Sequence, residues 1–445
     1  MITKNELNDY FIAGIKSNKN LKIGIEHEKF ILNKNSLRPI SYDESYGIKD
    51  ILEKLSNKGW TPYYDDNQKT IIALTKGKES ITLEPGGQIE LSGAPLDNIH
   101  QTCEETTNHL SELKKLGEEF NFILLGMGVE PNLKLDDFPW MPKQRYKIMK
   151  KYMQQVGKLG HHMMKRTCTN QVNIDYSSEE DMVNKLRIML NLEAIATSIF
   201  SNSPFDQSKV SKFKSLRSHF WHHTDPDRTG LLPFVFEKGF NFEKYTDYAL
   251  NVPMYFIKRE HNYIDMTNYT FKDFFDGKCS DINHEVTLND WSDHLTTLFP
   301  QARLKQYLEI RSMDACNWDL ICSQPAFWVG ILYDDEILDK LKEITEGWTI
   351  EDRQYLNQRA PEEGLMTEFK QRKLIDFAQE FYELSKKGLN KRNRLSNNGE
   401  FDESIYMKEL ENNLVKGFSP ADCLINNFNT HWKQSIKPIY KELIF

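Results

Sequence analysis

Four stretches of the chain alternate apolar and polar residues with the two-residue period of a strand. In segment 22–30, Ile23 and Ile25 fall on one face with His27, while Glu26 and Glu28 project together from the other. In segment 81–91, Gln88 and Glu90 share a face, and Glu84 stands just before Pro85-Gly86-Gly87. That triplet cannot continue a regular ladder, because proline lacks a donor and glycine admits bulge geometry. Segment 166–175 lines up Thr167, Thr169, Gln171, Asn173 and Asp175, and segment 307–311 sets Glu309 beside Arg311. The opposite faces carry Ile89, Leu91, Val172, Ile174, Leu308 and Ile310. An antiparallel sheet with one dry and one wet face has this pattern.

Other segments carry the helical period. Residues 97–120 read as a long helix opened after Pro95, with Ile99, Cys103, Leu110, Leu113 and Leu116 along one stripe. Residues 121–129 read as a buried strand. Its Gly126-x-Gly128 lacks the rest of a dinucleotide fingerprint and no helix start follows. Ser177-Ser-Glu-Glu180 reads as a capping box before a helix running to about Phe200. Residues 142–156 form another predicted helix, and from Asn317 onward the chain reads as mostly helical. Strands and helices do not alternate regularly, which favours α+β over a doubly wound fold. There is no internal repeat and no low-complexity linker.

The 445 residues are enough for a large core, with a soft prior of about three domains. Hydrophobic residues at 39% and aromatics at 12% exclude wholesale disorder. A net charge of −8 argues against binding a phosphate backbone. No apolar stretch approaches the ~20 residues of a membrane helix, and the first residues lack an apolar signal core. The expected protein is therefore soluble and cytoplasmic, without nucleic-acid or membrane partners. None of the six cysteines forms a Cys-x-x-Cys pair. The doublets His161-His162 and His222-His223 are poor metal co-ligands, since adjacent residues face different ways.

The acids of the wet face carry the candidate chemistry. Two carboxylates on one strand face repel unless a cation or an arginine sits between them, and Mg²⁺ prefers such oxygen ligands. A single Glu-x-Glu pair is usually a solvated edge; four such strands together point to a polar catalytic concavity. Arg217 can make a forked contact to a carboxylate or a surface ion pair, and Tyr255 fits equally a core or a pocket wall.

The same residues carry a family resemblance. Segments 24–30, 82–95 and 163–173 resemble glutamate–cysteine ligases of the plant and proteobacterial type, as do 217–221, 228–235, 289–297, 307–311 and 325–330. The resemblance runs colinearly from about residue 20 to the C-terminus. It implies an α+β fold related to glutamine synthetase: a curved antiparallel sheet forming a funnel, with helices on its outer face. It also implies one catalytic domain over residues 1–445, mostly helical from about 317. The implied reaction joins the γ-carboxylate of glutamate to the amine of cysteine, with ATP as substrate and Mg²⁺ as cofactor, through a γ-glutamyl phosphate. This fold uses no P-loop, and the sequence has none.

Carried onto this chain, the family's chemistry makes Glu26, Glu28, Glu90, Glu309 and Glu84 the metal-ligand candidates. Glu309 and Arg311 become the catalytic pair, with Arg311 steadying the transferred phosphoryl group. Arg217 is expected to clamp the α-carboxylate of glutamate, Trp221 and Tyr255 to wall the amino-acid pocket, and Gln171 or Asn173 to orient substrate polar atoms. No nucleophilic side chain is required, so Cys168 and Cys316 are not expected to be nucleophiles. A regulatory disulfide of the plant enzymes matches Cys103 and Cys322; a second pair matches Met266 and Cys279, so that bridge cannot form. The implied partners are glutamate, cysteine and ATP, and the chain is expected to be a monomer or homodimer. The rivals are a γ-glutamyl ligase for another amine, a metal-dependent hydrolase built on Glu26, His27 and Glu28, and a non-catalytic amino-acid-binding protein.

Overall fold

The computed structural model describes residues 2–17, 20–65, 69–260 and 262–445. Its centre is a nine-stranded antiparallel sheet. In chain order the strands are β1 (Ile23–Asn33), β2 (Thr61–Asp65), β3 (Thr70–Lys76), β4 (Glu79–Leu83), β5 (Ile89–Ser92), β6 (Phe122–Leu125), β7 (Asn170–Ile174), β8 (Ala302–Leu304) and β9 (Leu308–Ile310). Their spatial order is β8-β9-β7-β1-β5-β4-β3-β2, and β6 pairs with the far half of β1. The sheet is open, with β8 and β2 at its edges. β1 is the axis: its first half lies between β5 and β7, and its last residues turn to β6.

The alternation read from the sequence sets the two faces. Ile23, Ile25, Ile89, Leu91, Val172, Ile174, Leu308 and Ile310 are all buried against helices. His27 and Lys29 share that buried face. Lys29 Nζ lies 2.9 Å from His109 Nε2 on the helix Ile99–Phe120 and donates to the His27 carbonyl at 3.1 Å.

The long helix spans Ile99–Phe120 behind an Asn98 cap, and the next spans Gln144–Val156. The helix Glu179–Ile199 is capped one residue later than the sequence box, by Ser178, whose hydroxyl accepts from the Asp181 amide. Ser177 instead donates its hydroxyl to the Asp181 carboxylate. Segment 166–175 is only half strand. Arg166 closes the helix Gly160–Arg166, and Thr167 and Thr169 make isolated bridges to Val129 and Asp314. Beyond residue 317 come helices, among them Ser323–Leu332 and Leu374–Arg392, which pack together on the main hydrophobic core.

Candidate active site

Cross-strand register assembles the polar face. Glu28 lies directly opposite Glu90, Glu26 opposite Gln171 on one side and Ser92 on the other, and Glu309 opposite both Asn173 and Arg303. Glu84 joins them from the turn after β4, where its amide bonds to the Gln88 carbonyl and Gly87 takes a φ of +89°. Glu26, Glu28, Glu84 and Glu90 line a cavity of about 190 Å³ together with Gln171, Trp221, Arg145, Arg303 and Arg311.

Glu90 is buried and Glu26, Glu28 and Glu84 are part-buried, and they are close enough that their charges oppose one another. Burial, followed by Glu309 and Glu90, pushes Glu26 up to about 7. Burial, followed by Glu84 and Glu90, holds Glu28 well above the usual carboxylate range. Glu84 and Glu90 are also raised, chiefly by burial, although the Thr82 hydroxyl, donating to Glu90 Oε2 at 2.6 Å, draws Glu90 partly back down. A divalent cation relieves this arrangement, and an all-carboxylate donor set suits Mg²⁺. Among the described residues no three His, Cys, Asp or Glu side chains form a ready-made metal cage. A cation bound by these acids would therefore take the rest of its shell from substrate oxygens.

Glu309 differs from the other four candidates. Both of its oxygens accept from Arg303, at 2.6 and 2.9 Å, Lys305 stands 3.3 Å away, and Arg311 closes the ring. Burial pushes it up, but the three cations outweigh burial and hold it well below the usual range. It is the counterion of Arg303 and Arg311, and its metal-ligand assignment is corrected accordingly. Arg311 also donates to Gln171 Oε1 at 2.5 Å, and its guanidinium lies 5.6 Å from the ring centres of both Trp221 and Phe299. Its orientation is fixed from all sides.

Two of the expected substrate contacts are also revised. Arg217 lies behind the cavity rather than on its wall. Its fork is spent on the main chain of the catalytic strand, donating to the Arg311 carbonyl at 2.9 Å and the Ser312 carbonyl at 3.4 Å. The helix Leu216–His222 aims it there, because Ser203 and Ser215 at the start of that helix both bind the buried Asp314. Tyr255 is buried in the core, with the Arg228 guanidinium 3.9 Å from its ring centre and the Tyr152 ring edge-on. Phe256 takes the wall position instead. Trp221 and Gln171 do face the cavity. Asn173 donates to Glu26 Oε1 at 2.9 Å and faces a second opening.

That second opening, of about 750 Å³, lies on the other side of Glu26 and is lined by Lys16, Lys22, Lys78, Asn173 and Tyr307. Glu26 borders both spaces. His27 points away to the opposite face, against the ring of His109, so Glu26, His27 and Glu28 do not converge as a hydrolase set.

Sequence reasoning missed Arg145, Arg303 and Lys143. Arg145 faces the cavity with an unpartnered Nε, and the buried Lys143 is lowered to about 7, chiefly by burial. Both belong to the start of the helix Gln144–Val156, where no strand alternation marks them. Arg303 was recoverable, since a β8–β9 hairpin places it opposite Glu309.

Cys103 and Cys322 form a disulfide, with Cα atoms 5.9 Å apart, joining the helix Ile99–Phe120 to the start of Ser323–Leu332. Met266 and Cys279 both lie in the main core, and Cys279 is free. Burial pushes the Cys168 and Cys316 thiols well above their usual range, as expected of packing residues.

The model of Glutamate-cysteine ligase family 2 matches residues 22–442. The chain is 47% identical over 446 aligned residues to glutamate–cysteine ligase B, chloroplastic, of Oryza sativa subsp. japonica, covering 100% of this chain and 88% of that protein. It is 44% identical to the chloroplastic glutamate–cysteine ligase of Arabidopsis thaliana, covering 100% and 83%. The solved glutamate–cysteine ligase of Francisella tularensis in complex with AMP superposes with a TM-score of 0.56 at 13% identity, over 96% of this chain and 89% of that one, a likeness of fold. The names of the plant relatives place them in the chloroplast, so the cytoplasmic expectation is withdrawn. With a family model spanning nearly its whole length and full-length relatives at these identities, the chain belongs to Glutamate-cysteine ligase family 2.

Proposed function

We propose that the chain, acting as one catalytic domain, makes γ-glutamylcysteine from glutamate, cysteine and ATP, the first step of glutathione synthesis. The observation that carries the reading is the shared position of Glu26, which borders both the acid- and arginine-lined cavity and the lysine-lined opening. ATP enters through the opening, where Lys16, Lys22 and Lys78 attract its phosphates, and the amino acids occupy the cavity. A γ-carboxylate oxygen of glutamate attacks the terminal phosphorus and ADP departs. The amine of cysteine then attacks the acyl phosphate carbon, phosphate leaves, and the amine proton passes to solvent.

Bringing a carboxylate to a triphosphate concentrates negative charge, so the site must supply positive charge in fixed positions. Arg311 does this at the transferred group, held by Glu309, Gln171, Trp221 and Phe299. Arg145, which lines the cavity as Arg217 does not, takes the α-carboxylate role once expected of Arg217. Met149, Met163 and Met164 give the cavity a soft apolar side suited to the thiol of cysteine. Glu26, Glu28, Glu84 and Glu90 are the residues that would hold Mg²⁺, which would supply charge to neutralise the phosphate oxygens.

The deciding assay is phosphate release from ATP with each amino acid omitted in turn. Release must require both glutamate and cysteine. Release without cysteine, or a faster reaction with another amine, would replace this reading with a hydrolase or a different γ-glutamyl ligase.

A further inference from the structure

Glu105 stands outside the reaction cavity, on the helix Ile99–Phe120, and no step above uses it. Its Oε1 accepts from the Ala94 amide at 2.8 Å, while its Oε2 is buried without a partner. Burial pushes the acid up to about 7. A carboxylate oxygen buried without a partner carries a desolvation cost that the contacts made by the rest of the side chain must offset.

The contact is with the wall of the lysine-lined opening. Ser92, Gly93 and Pro95 all face that space. On its inner side Gly93 donates to the Ile25 carbonyl of β1 at 2.8 Å. On its outer side Glu105 packs so closely that a Cβ at position 93 would lie 2.1 Å from Oε2, and 3.2 Å from the Ile25 carbonyl. Glycine is the residue that fits between them. The wall is thus clamped between β1, which carries Glu26, and the carboxylate of Glu105.

We infer that Glu105 is a positioning residue for the nucleotide: it fixes the 92–95 wall against which the phosphates of ATP are held. This rests on the reading that ATP enters by the lysine-lined opening. A turn-capping acid with a purely structural role would lower stability and leave the balance among the three substrates unchanged.

The test compares KM for ATP, glutamate and cysteine, with melting temperature, across five variants. Glu105→Ala should raise KM for ATP roughly tenfold, as loss of one hydrogen bond to a charged group does, and leave the two amino-acid KM values near wild type. Glu105→Gln, which keeps the acceptor oxygen, should restore the ATP value. Gly93→Ala should displace the carboxylate and reproduce Glu105→Ala, and the double variant should be no worse than either single, because both break one contact. An unchanged KM for ATP in Glu105→Ala, an equal rise for all three substrates, or additive effects in the double variant would overturn the inference. Lys78→Ala, at an exposed turn, separates the two levels. If it leaves KM for ATP unchanged, the assignment of the opening fails and the inference with it. If it raises that KM while Glu105→Ala does not, the inference alone fails.

Discussion

Replacing Glu26 by glutamine should abolish ligation and make the metal-free protein more stable. Glu26 is part-buried and raised from 4.5 to about 7, first by burial and then by Glu309 and Glu90. A group whose folded value exceeds its unfolded value favours folding below the unfolded value. That advantage is lost as pH rises through the folded one, here between about 4.5 and 7. At about 1.4 kcal/mol per pH unit, the charged acid costs the metal-free fold roughly 3 kcal/mol at and above neutrality. Glutamine keeps the oxygen that accepts from Asn173 and carries no charge to desolvate. With an unfolding entropy of about 2 cal/mol/K per residue, the relief is worth about 3 °C in melting temperature. The same change removes a carboxylate whose attraction to each unit of cation charge at 4 Å is about 4 kcal/mol at an effective dielectric of 20. Even half of that weakens Mg²⁺ binding about 30-fold. Calorimetric melting of wild type and variant with and without Mg²⁺, at pH 5.5 and 8, reads both effects. The wild type should gain more from Mg²⁺ than the variant, and more at pH 8. A variant that melts lower than wild type in EDTA, binds Mg²⁺ equally and turns over normally would refute the assignment.

Glu309→Gln should act in the opposite sense, since it strands Arg303, Lys305 and Arg311 and costs about 3–5 kcal/mol. Glu309 is depressed in the fold, so its stabilisation is present above the unfolded carboxylate value and fades as pH falls below it; equal acid sensitivity in wild type and variant would refute this. Arg217→Lys should lower kcat with little change in KM for glutamate, because its fork holds the Arg311–Ser312 main chain; a selective rise in glutamate KM would return it to the substrate. Cys103→Ser should change the response of activity to oxidant and Cys279→Ser should not, because Cys103 is bonded to Cys322 while Cys279 is free; identical responses in wild type and Cys103→Ser would remove the switch.

The period of the strands was enough to assign faces, because side chains alternate strictly on an extended backbone. Ile23, Ile25, Val172 and Ile174 therefore announced the dry face, and Glu26, Glu28, Glu90, Gln171, Glu309 and Arg311 the wet one, before any pairing was known. The helices read at 97–120 and 142–156, found at Ile99–Phe120 and Gln144–Val156, were legible for a similar local reason: a proline, Pro95 or Pro142, stands just ahead of each. The strands Thr61–Asp65 and Thr70–Lys76 were not read: β2 is a largely exposed edge strand with weak alternation, and in β3, one strand in, the adjacent Ile71 and Ile72 are both buried, which breaks the two-residue period.

What the sequence could not determine was partnership. Arg217 and Arg145 are both arginines near helix starts, and nothing local says that one spends its terminal nitrogens on backbone carbonyls while the other lines the cavity. Glu309 reads like its neighbours until β8 folds back and sets Arg303 against it. Tyr255 and Phe256 are adjacent aromatics, and only the packing of Arg228 and Tyr152 sends the first into the core. Which face a residue takes follows from the backbone period and is a local property. Which charge answers it depends on strands brought together from distant parts of the chain, and electrostatics in a dry interior is decided by those neighbours.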